Sequence, residues 1–207
     1  PLHRLPDPYV EGHPDYTELW RFAWELAAGK VRESHGIRHL DTAWDPARNY
    51  QWVWDLTFVG LFARYAPDLL PALGAYDGFY RLQRADGYIA MCYDFDTGAE
   101  PWAAGDPPER INPPLFAWGE WEYYRTTGDA SRLARVVDPI ERLMDWIDAH
   151  RRAVFGRSRR FLLENHPDQA EPGEVRLYWF KDCGSAGMDD SPRTPRHPTA
   201  GSSFAWI

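Results

Sequence analysis

The residues best equipped for chemistry lie in one stretch, Gly184-Ser185-Ala186-Gly187-Met188-Asp189-Asp190-Ser191-Pro192-Arg193. Two adjacent carboxylates sit there in a small-residue loop that follows the aromatic run Leu177-Tyr178-Trp179-Phe180. Small residues let backbone approach a ligand closely, and Pro192 biases Ser191 away from helix, which keeps the turn open. Arg193 could orient one carboxylate through a bidentate pair and leave the other to exchange a proton. The same residue types also make ordinary surface turns, so the remaining stretches have to decide between the two.

The chain of 207 residues carries a net charge of -8 and 11 Trp. Indole faces stack on the apolar C–H surfaces of sugar rings, although most aromatic rings of a helical domain pack its core. An acidic protein offers no counter-charge to nucleic acid or to an anionic membrane, so neither is expected as partner. No apolar run reaches the roughly 18 to 20 residues of a membrane span. The basic residues at 157–160, with Arg151 and Arg152 upstream, read as a solvated face. Cys92 and Cys183 are too few and too far apart for a disulfide framework or a zinc site. They are expected to be buried reduced thiols of a cytoplasmic protein. Asp182, Asp189 and Asp190 offer oxygen ligands for a hard cation, but their spacing matches no calcium loop. No cofactor is expected.

Helices dominate the pattern that must position these groups. Residues 1–14 form an irregular, proline-rich arm. Asp15-Tyr16-Thr17-Glu18 reads as a capping box opening a helix to about residue 33, with Leu19, Trp20, Ala23, Trp24, Ala27 and Val31 at three- and four-residue steps. A loop over 34–48 leads to a second helix over 50–65, apolar round most of its circumference and therefore buried on more than one side. Asp55 lies near its start, where the helix dipole favours a carboxylate, with Trp52 and Trp54 beside it as stacking platforms. A third helix spans 69–84, and 87–91 is a short extended piece. The loop 97–110 carries its own Trp102 and is long enough to be functional. Asn112 is placed to cap a helix carrying Trp118 and Trp121. Gly128-Asp129 stops that helix and caps the next, which spans 130–152 with Pro139 as its expected kink point. Five helices joined by tight turns and long aromatic loops suit an all-α ring of helix hairpins whose loops gather at one end.

Four stretches carry a resemblance. Tyr50-Gln51-Trp52-Val53-Trp54-Asp55, Phe79-Tyr80-Arg81-Leu82-Gln83-Arg84-Ala85-Asp86-Gly87-Tyr88-Ile89, Asn112-Pro113-Pro114 and Gly187-Met188-Asp189-Asp190-Ser191-Pro192-Arg193 resemble the (α/α)6-barrel glycosidases, most closely the glycoside hydrolase family 63 group with its α-glucosidases and mannosylglycerate and glucosylglycerate hydrolases. The resemblance implies an all-α (α/α)6 toroid of the six-hairpin type, with residues 1–207 as the N-terminal portion of a single catalytic domain. It implies inverting, exo-acting hydrolysis of α-glucosidic or α-mannosidic bonds in small glycosides, such as a glycosylglycerate or a short oligosaccharide. Asp189 would be the general acid. Tyr50, Trp52, Trp54, Asp55, Asn112, Trp118, Asp190 and Arg193 would line the sugar subsite.

Burial beside a second carboxylate raises an acid's pKa toward working pH, and Asp190 and Asp182 are the candidate neighbours. Inversion also needs a base roughly 6.5 to 9.5 Å from the acid. In the family that base is a Glu far downstream, beyond Ile207, so the isolated chain is expected to be inactive as a hydrolase. The alternatives are a non-hydrolytic sugar-binding or epimerase-like protein on the same toroid, or a trehalase-like hydrolase. An epimerase would use paired histidines, and His166 and His197 are the ones near the acidic loop. The partner expected throughout is a small carbohydrate, and the oligomeric state stays open.

Overall fold

Pro14 opens the first helix, α1 (Pro14–Gly29), where a missing backbone N–H costs nothing. The computed structural model describes residues 5, 8–43, 45, 47–108 and 110–151, together with the backbone of short strands at 152–153, 177–181 and 203–206. The N-cap of α1 is His13, with no side-chain cap, so the capping box expected from Asp15 and Glu18 does not form. Asp15 instead sits in the first turn, where its charge suits the dipole.

The helix also ends earlier than its apolar spacing implies. Val31 starts a strand, β1 (Val31–Ser34), that pairs antiparallel with β2 (Ile37–Leu40). The turn between them is His35-Gly36, with φ of 50° and 78°. Two successive positive φ values make the two-residue turn whose twist matches that of paired strands. A hairpin therefore replaces the last turn of the expected helix and the start of the expected loop.

The second helix is likewise shortened, to α2 (Val53–Ala63), because Tyr50–Trp52 forms a strand, β3, paired antiparallel with β4 (Cys92–Asp94). The register sets Tyr50 against Asp94, Gln51 against Tyr93 and Trp52 against Cys92. The remaining helices are α3 (Gly74–Leu82), α4 (Leu115–Thr127) and α5 (Ala130–Arg151). Gly128 closes α4 in the left-handed conformation, at φ 73°, and Asp129 Oδ1 accepts from Arg132 N at 3.1 Å, as the stop-and-restart reading expected. Beyond α5 lie β5 (Arg152–Ala153), β6 (Leu177–Lys181) and β7 (Ser203–Trp206), an antiparallel sheet in that order.

The expected all-α six-hairpin toroid is thus corrected to a mixed α/β arrangement, with five helices and small antiparallel sheets among the described residues. Three strands separate α1 from α2 and another separates α3 from α4. Helix does not alternate with helix round an axis. Among the described residues no helix is long and apolar enough to cross a membrane.

The main core packs Val53 and Leu56 of α2, Tyr76 and Phe79 of α3, Tyr93 of β4, Phe116 of α4, and Leu143, Trp146 and Ile147 of α5. A buried ion pair ties three helices beneath it. Arg132 donates from Nε and Nη2 to Glu120 at 2.7 and 2.8 Å, Tyr80 donates to the same carboxylate at 3.0 Å, and Arg132 reaches Asp77 at 3.1 Å. Burial pushes the Glu120 carboxyl up, against the downward pull of Arg132 and Tyr80. Arg151, expected on a solvated face, is buried: it donates to the carbonyls of His150 and Pro108 and lies 4.8 Å over the Trp146 ring. The basic residues at 157–160 lie outside the described residues. A smaller core seats α1 through Ala27, with Trp24 partly buried, against Leu40, Ala63 and Leu70.

Candidate functional site

Alternation along β3 sends Tyr50 and Trp52 to one side and Gln51 to the other, and the burial follows: the two rings are half-buried and Gln51 is fully buried. On the inner side Gln51 donates from Nε2 to Asp41 Oδ1 and Asn49 Oδ1, both at 2.9 Å. Asn49 in turn donates to Ser34 Oγ at 2.6 Å and Asp96 Oδ1 at 2.7 Å. This network bolts β3 to the β1–β2 hairpin from behind.

On the outer side Trp102, from the loop 97–110, meets both rings. Its centroid lies 4.6 Å from Trp52 with the planes at 42°, and 5.3 Å from Tyr50 in an edge-on arrangement at 81°. The loop is held at several points. Arg84 Nε donates to Glu100 Oε1 at 2.9 Å, Tyr88 donates its hydroxyl proton to the Arg110 carbonyl at 2.7 Å, and Arg151 reaches the Pro108 carbonyl. The Arg48 guanidinium stands 5.7 Å from the centre of the Tyr50 ring. Among the described residues no hydrogen bond occupies the indole N–H of Trp52 or Trp102 or the hydroxyl of Tyr50. Three half-exposed rings with unfilled polar edges can stack on an apolar face and donate to hydroxyls at its rim.

The other residues singled out by sequence divide around this platform. Asp55 is exposed in the first turn of α2. It acts on the Cys92 thiol, which burial first, then the Asp94 and Asp55 charges, push well above its ordinary pKa. That thiol is inert, since reactivity needs a thiolate. Trp54 and Trp118 belong to a second aromatic group, bridged by Phe58 at centroid distances of 5.5 and 5.9 Å. Asn112 is buried at 5% exposure, and the N-cap of α4 is Pro114, without a side-chain cap, so the expected capping role of Asn112 is corrected. Asp189, Asp190 and Arg193 lie outside the described residues, as do Asp182, Cys183, His166 and His197. Trp102 was not chosen for the sugar subsite from sequence, although a long loop with its own aromatic was the signal that marks it. Among the described residues no group of three His, Cys, Asp or Glu side chains is arranged to hold a metal.

No family model matches the chain, and no solved structure gives a significant match. The chain is similar to an uncharacterized protein of Borreliella burgdorferi, 30% identical over 88 residues, a match that covers 42% of this chain and 18% of that protein's length. The expected membership of glycoside hydrolase family 63 is overturned: the relative's name points to no glycosidase, and the five helices with small antiparallel sheets among the described residues are not a ring of six hairpins.

Proposed function

We propose that Tyr50, Trp52 and Trp102 seat the pyranose ring of a small α-glucoside or α-mannoside, and that the protein hydrolyses that glycoside. The observation that carries this reading is the trio of half-exposed rings whose polar edges are unfilled among the described residues. Stacking on indole suits the C–H face of a sugar, and the free N–H and O–H groups suit its hydroxyls. The buried Gln51–Asn49 network behind β3 supports the reading because a pre-ordered platform spends less binding energy on ordering itself. Asp55 is the nearby carboxylate proposed to accept from a hydroxyl. Asp189 is the proposed proton donor, a role that rests on the run of small and acidic residues around it in the sequence.

Titration of the full-length protein with methyl α-glucoside and methyl α-mannoside, followed by tryptophan fluorescence and calorimetry, tests the seat. Trp102→Ala and Trp52→Ala should each weaken binding about tenfold, or about 1.4 kcal/mol. Unchanged binding in both variants defeats the proposal. NMR of the released sugar then reports the chemistry: turnover with inversion, abolished by Asp189→Asn with binding retained, is the expected result. Binding without turnover would leave a sugar-binding protein and remove the hydrolase.

A further inference from the structure

One side of α1 is apolar and exposed among the described residues. Tyr16, Leu19, Phe22 and Leu26 are 52%, 64%, 61% and 55% exposed. At 100° per residue, Tyr16, Leu19, Ala23 and Leu26 form one seam with steps of three, four and three, the spacing by which two helices interlock side chains. Asp15 and Lys30 lie on the same side at its opposite ends. The charged residues Glu18, Arg21 and Glu25 fall on the far side of the helix. Beside the seam runs an apolar groove of about 560 Å³ lined by Trp20, Trp24, Leu26, Phe62 and Tyr65, with Lys30 among its lining residues.

We propose that a second copy of this chain docks on this seam, α1 against α1 and antiparallel, about a two-fold axis between Phe22 and Ala23. Charge fixes both the occupant and its direction. Pairing about that axis sets Asp15 opposite Lys30 of the second copy, and Lys30 opposite its Asp15. A parallel pair would set like charges together at both ends, which is destabilising. The same axis sets Leu19 opposite Leu26 and the Phe22 ring opposite the small Ala23, so bulk meets bulk or a gap in the right order. A two-fold contact uses one patch twice and closes on itself. Its extent is a single helix per copy, at the small end of specific interfaces, below about 1,200 Å², so the association is reversible.

Sedimentation equilibrium of the full-length protein across the micromolar range tests it, with the expected result a monomer–dimer equilibrium. Leu19→Glu, at a surface position the fold does not need, should give a monomer with unchanged circular dichroism. Lys30→Glu should weaken the dimer about tenfold, and adding Asp15→Lys to it should restore the dimer, because the swap re-pairs the ends. A protein that stays monomeric at every concentration overturns the proposal. A dimer indifferent to Leu19→Glu, or a charge swap that fails to restore it, overturns it equally.

Discussion

Rings of the interior and rings of the β3–β4 edge differ in what their polar tips touch. In the interior Tyr76 shares a hydrogen bond with Thr57 Oγ1 at 2.6 Å, Tyr88 donates to the Arg110 carbonyl at 2.7 Å, Tyr93 to the Leu82 carbonyl at 3.2 Å, and Trp146 Nε1 to Asp86 at 3.2 Å. Burial pushes all three of these hydroxyls far above the usual tyrosine pKa, so they remain neutral donors. At the edge the tips of Tyr50, Trp52 and Trp102 have no partner among the described residues. A ring whose tip is already bonded has finished its work in the fold. A ring whose tip is open has capacity left for a ligand.

The largest expected effect comes from the charged pair under the interior rings. Glu120→Ala takes the two-point partner from a buried guanidinium, leaving it Asp77 and the Leu73 carbonyl, and should cost about 3 to 5 kcal/mol in urea unfolding. Replacing Glu120 and Arg132 together with Met and Leu should cost less than either single truncation. Trp146→Ala should also cost about 3 to 5 kcal/mol, whereas Trp102→Ala should cost far less stability and instead weaken sugar binding about tenfold. Equal unfolding losses for the two tryptophans would erase the distinction between interior and edge. Gly119→Ala is next. An added Cβ would lie 2.5 Å from the Tyr76 hydroxyl and 2.8 Å from its ring, and overpacking of this kind costs about 1 to 3 kcal/mol. It should leave the edge platform's sugar affinity intact.

The smallest effect belongs to a partly exposed group at the start of α5. Hydrogen bonds from Ser131, then from the Arg132 backbone, hold the Asp129 carboxyl below its ordinary pKa. A carboxylate whose folded pKa is depressed contributes stability above its unfolded pKa and loses it as pH falls through the folded value. Unfolding midpoints between neutral pH and about pH 3 should therefore show a slightly shallower acid loss in Asp129→Asn than in the parent chain.

The helices were legible because periodicity survives over many residues. Leu133, Val136, Ile140, Leu143 and Ile147 marked α5 almost to its ends, and Gly128-Asp129 marked the break before it. The strands were not legible, for a matching reason. Tyr50-Gln51-Trp52 is too short to display a period of two and runs straight into the apolar α2, so it merged with the helix. His35-Gly36 lacks the Asn-Gly or Asp-Gly signature of a two-residue turn, and Val31 happened to fit the stripe of α1. Of the site, Tyr50 and Trp52 were both expected in the sugar subsite, but the ring that joins them, Trp102, comes from a distant loop, and distance in sequence hides such meetings. Trp54, next to Trp52, was grouped with it and instead joins Phe58 and Trp118, because a strand passes into a helix between the two.

The pairing of β3 with β4 encloses all of α2 and α3 in one covalent loop. Closing such a loop costs chain entropy that is recovered only when the enclosed helices have packed. If a sugar is held on the Tyr50 and Trp52 rings as proposed, it should act as a clasp on that closure: by drawing on the closed form alone it should slow hydrogen exchange in α2 and α3, well away from the rings it touches.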